Sequence, residues 1–245
     1  MKRLLPLVLL LAACTSTPEY PPPQADKAQV VIKVTATPKA GVKAPRTEGQ
    51  YDKESVEKGR RFTRVNYSEM DCIAVVVKGA NPIPRDGIRM AEVEILSDGF
   101  ATDLVVAEVL FDDSGSQWPT VTFRNERGQA LTLYGAAQGN NAATFEVNVP
   151  ANGKSSCTLT KAGLYDVYCD EDEKLFCQIV ATENALASQC ESGGELFFDG
   201  LAPGAYEVEV YAPRLPVWRM KFEAVAGKRE TLYAEVTVNK LPKAK

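Results

Sequence analysis

Residues 163–177 read GLYDVYCDEDEKLFC. The apolar spacing of Leu164, Tyr165, Val167 and Cys169 marks a strand that runs into a cysteine. Four consecutive carboxylates follow, Asp170 to Glu173, and Cys177 sits in the next apolar run, FCQIVAT (176–182). A hard cation takes six to eight oxygens, usually from spaced carboxylates around a Gly turn, and adjacent carboxylates along an extended chain point alternately. The acidic run therefore reads as a solvated loop tip between two neighbouring strands.

Outward from this stretch the pattern repeats. Alternating or β-branched runs occupy 29–37, 71–79, 90–96, 102–111, 120–125, 130–135, 143–150 and 156–160 before it. They occupy 195–200, 205–213, 217–225 and 231–239 after it. Turn residues separate nearly all of them, among them Asp113-Ser114-Gly115, Asn152-Gly153 and Pro203-Gly204. Tyr206, Val208 and Val210 oppose Glu207 and Glu209, and Phe145, Val147 and Val149 oppose Glu146 and Asn148, so each of these strands has one wet face. Many short strands with regular turns predict an all-β chain of two antiparallel β-sandwich modules, a division that 245 residues also favour. A charged segment, 52–61, reads as a short surface helix.

The amino terminus, MKRLLPLVLLLAAC, has two cations, a short apolar run and small residues before Cys14, the features of a secretory signal over 1–13. The apolar run of about ten residues is too short to span a bilayer as a helix, which takes roughly 20. Leu-Ala-Ala-Cys resembles a bacterial lipobox, which implies cleavage before Cys14 and acylation of it. The resemblance implies a cell-envelope protein held to the membrane by its lipid anchor, and Thr15 after the cysteine points to the outer membrane, facing periplasm or surface. The Pro-rich stretch that follows, to residue 27, reads as a tether. It reaches at most about 45 Å from the lipid.

Loss of Lys2 and Arg3 with the signal leaves 26 basic against 32 acidic side chains, and no basic cluster suggests nucleic acid. The chain contains no histidine. No Gly-x-Ser-x-Gly, phosphate loop or Cys/His metal spacing is present, so the sequence predicts a protein that is not an enzyme and carries no cofactor. Five cysteines remain beyond Cys14, an odd number, so pairing leaves at least one over.

Residues 91–182 resemble the cupredoxin domains of methylamine-utilisation and plastocyanin-like type, a Greek-key sandwich. The resemblance rests on Phe123-Arg124-Asn125, Leu131 to Gly135, Ala151 to Ser155, Lys161-Ala162-Gly163 and the run from Tyr165 to Cys169. In that family a thiolate, two imidazoles and an axial thioether hold copper. Carried over by position, Leu131 stands for the first His, Asp172 for the second and Leu175 for the Met, and only Cys169 is kept. The resemblance thus implies a vestigial site with no metal. A Cys169–Cys177 disulfide is a candidate staple for the loop ends, with pairings through Cys157 or Cys190 left open. A reactive thiol at Cys169 is disfavoured, because its acidic neighbours raise the thiol pKa.

Residues 183–240 resemble the transthyretin-like, Ig-like sandwich of carboxypeptidase-regulatory-like domains, on Asp199-Gly200-Leu201, Pro203-Gly204 and Tyr206. Tyr206 reads as core, and Trp218 is a candidate contact residue. Residues 28–90 read as an N-terminal β extension or subdomain. Together these readings predict a structural or protein-interaction component of an envelope assembly, with one or more envelope proteins as partners. The alternative is a small-ligand or carbohydrate binder that uses the former copper end; residual metal handling through Cys169 and the acidic loop is a third.

Overall fold

The computed structural model describes residues 20–38, 67, 70–79, 91–108, 110–112, 115–117, 119–138, 144–183 and 185–240. Cys14, the signal and the expected helix at 52–61 lie outside the described residues. In chain order the first strands are β1 (Ala28–Ala36), β2 (Ile73–Gly79), β3 (Ala91–Ile95), β4 (Leu104–Glu108), β5 (Leu110–Asp112), β6 (Gly115–Gln117), β7 (Thr120–Asn125), β8 (Leu131–Ala137) and β9 (Phe145–Val149). They continue with β10 (Lys154–Thr158), β11 (Gly163–Cys169), β12 (Phe176–Thr182), β13 (Ala185–Cys190), β14 (Glu195–Leu201), β15 (Gly204–Tyr211), β16 (Trp218–Ala224) and β17 (Arg229–Val236).

These strands build two sandwiches, each around its own core. One packs the sheet β10-β7-β3 on the sheet β4-β12-β11-β8-β9, with Val93, Phe123, Leu133, Tyr165, Val167 and Ile179 between them. The other packs β14-β1-β17 on β13-β2-β15-β16, around Val30, Ile32, Ile73, Val75, Tyr206, Val208 and Leu232. Hence β1 and β2, from the stretch read as an extension or subdomain, lie inside the carboxy-terminal sandwich. Pairing is mostly antiparallel, but β1 runs parallel to β17, β4 to β12 and β3 to β7.

A third apolar layer joins the two sandwiches. Cys72, Ala74, Val76, Ala187 and Tyr211 from one side meet Leu104 and Val180 from the other, with Val106 and Leu164 packed against them. This layer explains why β2 reads IAVVVKG rather than alternating. Ile73, Val75 and Val77 face one core while Ala74 and Val76 face the other, so neither side of the strand meets water. The same holds for β4, where Leu104 and Val106 face the junction and Val105 and Ala107 the inner core. Polar groups cross the junction too. Glu108 Oε1 accepts from Ala187 N at 3.1 Å, and Gln189 Nε2 donates to the Leu104 carbonyl at 2.9 Å. Besides the two-stranded β5–β6 hairpin, the result is a stack of four sheets with three apolar layers.

Each sandwich contains one tyrosine whose hydroxyl closes a turn four residues back. Tyr165 Oη donates to the Lys161 carbonyl at 2.7 Å, and Tyr206 Oη to the Ala202 carbonyl at 3.0 Å. Gly163 and Gly204, two residues before each tyrosine, have φ of 149° and 144°, which a side chain at either position would strain. As expected, Tyr206 lies in the core, and its ring stacks on Phe222 at 5.6 Å.

The Pro-rich stretch departs from the tether reading over its second half. Tyr20 stacks on Phe197 with centroids 4.4 Å apart, and the Arg229 guanidinium lies over both rings. Gln29 Nε2 donates to the Pro21 carbonyl at 3.1 Å, Arg229 donates to the same carbonyl, and Gly227 N donates to the Lys27 carbonyl at 2.8 Å. Residues 20–27 therefore form a strap fixed to the outer face of β14-β1-β17. Composition shows the prolines that make the segment stiff; it does not show the aromatic and cationic partners, Phe197 and Arg229, that hold it from the far end of the chain.

Candidate functional site

The positions singled out by the sequence converge at one end of the first sandwich. Leu131 opens β8, Cys169 ends β11 opposite Leu133, and the loop 170–175 leads into β12. Leu131, Cys169 and Leu175 are all buried, at 1%, 3% and 2% exposure, within one core. Phe123 is buried in that core as well, while Asn125 beside it has a polar task. Its amide donates to the carbonyls of Gln129 at 2.8 Å and Pro150 at 3.1 Å, and its Oδ1 accepts from Arg127 N at 2.9 Å. The Phe-x-Asn pattern thus supplies one core ring and one loop anchor.

The acidic loop is not a free tip. Arg127 Nη1 donates to Asp172 Oδ2 at 2.8 Å while its Nε donates to the Leu96 carbonyl at 2.7 Å, so one guanidinium ties the loop to the segment after β3. Glu171 folds back on β8, accepting from Thr132 N at 2.7 Å and from Thr132 Oγ1 at 2.9 Å. Asp170 N extends the ladder by donating to the Thr132 carbonyl at 3.1 Å, and Leu175 N closes a turn on the Asp172 carbonyl at 2.9 Å. The Thr132 amide and hydroxyl hold the Glu171 carboxyl below the ordinary carboxylate range, and the Arg127 bond and the Lys174 amide do the same for Asp172. Sequence reasoning did not single out Arg127 or Thr132, whose partners in the acidic loop lie 45 and 39 residues away in the chain.

Cys169 stays a thiol. Burial raises its pKa first and the hydrogen bond to Glu171 next, Sγ lying 3.3 Å from Glu171 Oε2. The acidic neighbours thus act as expected, through Glu171, with burial the larger cause. The candidate Cys169–Cys177 disulfide is not formed, and Cys72, Cys157, Cys169, Cys177 and Cys190 are all free. Register is the reason. Cys177 sits opposite Val167, which leaves Cys169 a diagonal neighbour. Diagonal pairs lie some 7–8 Å apart, beyond the Cβ separation a disulfide spans. Burial also raises Cys157 and Cys190 to about 11.

This donor set does not fit a copper ion. Two of the four positions are leucines packed in the core, the third is a carboxylate paired with Arg127, and the thiol is protonated and occupied. Among the described residues no group of three or more His, Cys, Asp or Glu side chains is placed to hold a metal. Trp218, the candidate contact residue, is half-buried against the carboxy-terminal core and does not stand exposed.

Fold and site together define an all-β protein of two joined sandwiches, one of which has a sealed end where a ligand set would be sought. Neither a protein-family model nor a curated protein sequence matches the chain. Solved structures of amicyanin are similar to part of it. They include a reduced Cu(I) form of a proline-to-glycine mutant and a Cu(I) form of a methionine-to-alanine mutant. Both are 19% identical and cover 44% of this chain and 98% of theirs, with TM-scores of 0.32 and 0.31.

Proposed function

We propose that this protein is a lipid-anchored component of a bacterial cell envelope whose two sandwiches form a rigid, non-enzymatic unit for protein interaction. In this reading the first sandwich is a cupredoxin-like domain that has lost its copper ligands, and the second is a carboxypeptidase-regulatory-like domain. The observation that carries it is the filled end of the first sandwich. Leu131 and Leu175 pack with Cys169 where metal ligands would stand, in a chain without histidine. A redox carrier needs imidazole and thiolate at that point, and buried leucines supply packing instead. The apolar layer joining the sandwiches suits a unit that presents fixed surfaces. The lipid anchor rests on MKRLLPLVLLLAAC alone. The same filled end, closed by Arg127–Asp172 and Glu171–Thr132, weighs against a small-ligand site there.

The test is cross-linking in intact bacteria followed by purification from solubilised envelopes. The expected result is an acylated amino-terminal Cys14 peptide and a reproducible envelope-protein adduct. A protein recovered alone, whose melting temperature rises with a sugar or stoichiometric copper, overturns the reading.

A further inference from the structure

The strap has a consequence for how the molecule stands on a membrane. We infer that the outer face of the β14-β1-β17 sheet is turned toward the lipid surface, and that the strap is the device that turns it; this rests on the acylation of Cys14 proposed above. Tyr20 is clamped on that face by Phe197 and by Arg229. Arg229 Nη2 donates to the Tyr20 carbonyl at 3.2 Å and its Nε donates to Gln29 Oε1 at 2.9 Å, so backbone and ring are both held. Six residue steps separate Tyr20 from Cys14, a reach of about 20 Å at full extension. A strap released as far as Ala28 would give fourteen steps and roughly 45–50 Å. The clamp therefore more than halves the leash and fixes the face from which it leaves.

That face has a feature suited to a headgroup layer. Tyr233, opposite Lys33 in the register, is 72% exposed. Tyrosine, apolar in its ring and polar at its tip, favours such an interface. The four sheets are stacked in order, so the sheet β10-β7-β3 lies at the opposite end of the molecule. At about 10 Å per sheet spacing it stands roughly 30 Å farther from the lipid than β14-β1-β17. The strap thus directs the first sandwich outward, where a protein partner would reach it.

The full acylated chain in lipid vesicles tests this. Reporters with one added cysteine, Tyr233→Cys and Lys154→Cys, are exposed to a water-soluble maleimide in vesicles and in detergent micelles, and the labelling of the parent chain's own five thiols is subtracted as background. The Tyr233→Cys thiol should label severalfold more slowly in vesicles, and the Lys154→Cys thiol equally in both. Adding Tyr20→Ala and Arg229→Ala should abolish the difference. Neutron reflectometry on supported bilayers should then show the gap widening from within about 20 Å toward about 45 Å. Equal labelling of the two reporters, or a gap unchanged by unclamping, overturns the inference while leaving the anchor intact. An unacylated Cys14 peptide overturns the anchor itself, and the orientation with it.

Discussion

Arg127 Nη1 lies 2.8 Å from Asp172 Oδ2, and the same guanidinium reaches the Leu96 carbonyl through Nε. One side chain thus closes the acidic loop over the end of the first sandwich. Replacing it frees a half-buried carboxylate and a backbone carbonyl. Arg127→Ala should cost about 1–2 kcal/mol in urea unfolding, the scale of a charge-assisted hydrogen bond. Asp172→Asn should cost less, because its carbonyl oxygen still accepts.

Acid should act on the same loop. Asp172 and Glu171 have pKa values below their ordinary ones. A group depressed in the folded state contributes stability above its unfolded pKa, and that contribution is lost as pH falls through the folded one. The loss should therefore begin near pH 4 and deepen below it. In a melting-temperature series between pH 6 and pH 2.5, Arg127→Ala should flatten the acid limb. An unchanged limb would mean that the pair does not hold the loop.

The strands around this loop were legible in the sequence because Val147, Val149, Tyr165 and Val167 alternate with polar neighbours. What was not legible depends on contacts distant in the chain. β13, ALASQC, has small and polar residues and no clear period, yet Leu186 enters one core and Ala187 the junction. The placement of β1 beside β17, the strap on Phe197 and the Arg127 bond to Asp172 likewise join residues that no local window contains. For the candidate site, the absence of histidine was legible in the sequence; the packing of Leu131 and Leu175 and the bonding of the loop came only with the fold.

The two tyrosine turns should be equivalent and independent. Tyr165→Phe and Tyr206→Phe each remove one hydroxyl that bonds a backbone carbonyl, at about 1 kcal/mol apiece. Gly163→Ala and Gly204→Ala force a side chain into backbone angles of φ 149° and 144°. Each should cost about 1–3 kcal/mol. Because the sites share no partner, the double Tyr→Phe variant should add to within about 0.5 kcal/mol in denaturant titration. A strongly non-additive result would show that the sandwiches are coupled more tightly than their junction implies.

The sealed end should behave as core. Leu131→Ala and Leu175→Ala remove buried side chains and should each destabilise by about 2–5 kcal/mol. Cu(II) added to the native protein should give no intense blue absorption, and a chelator should leave its melting temperature unchanged. Alkali should destabilise. Burial raises the thiols of Cys157 and Cys190 to about 11, and raises Cys177 as well. A thiol that keeps its proton in the folded state and loses it in the unfolded one contributes less stability as pH rises through about 9. Maleimide should label the five thiols beyond Cys14 slowly in the native chain and fully in guanidinium, read by mass.

The junction between the sandwiches should set how the protein unfolds. Leu104 and Val76 are both 0% exposed, and they meet in a layer whose other members are mostly small or branched. Such a buried apolar contact should make the two sandwiches unfold in one calorimetric transition. Leu104→Asp places a carboxylate in that layer with no cation among its members. The first effect expected is loss of contact between the sandwiches, because parting them lets the charge reach water at lower cost than unfolding either core. The single transition should split in two, while Tyr165 and Tyr206 stay packed in their own cores. If Leu104→Asp lowers one transition without splitting it, the junction belongs to a single folding unit and the sandwiches are not separable modules.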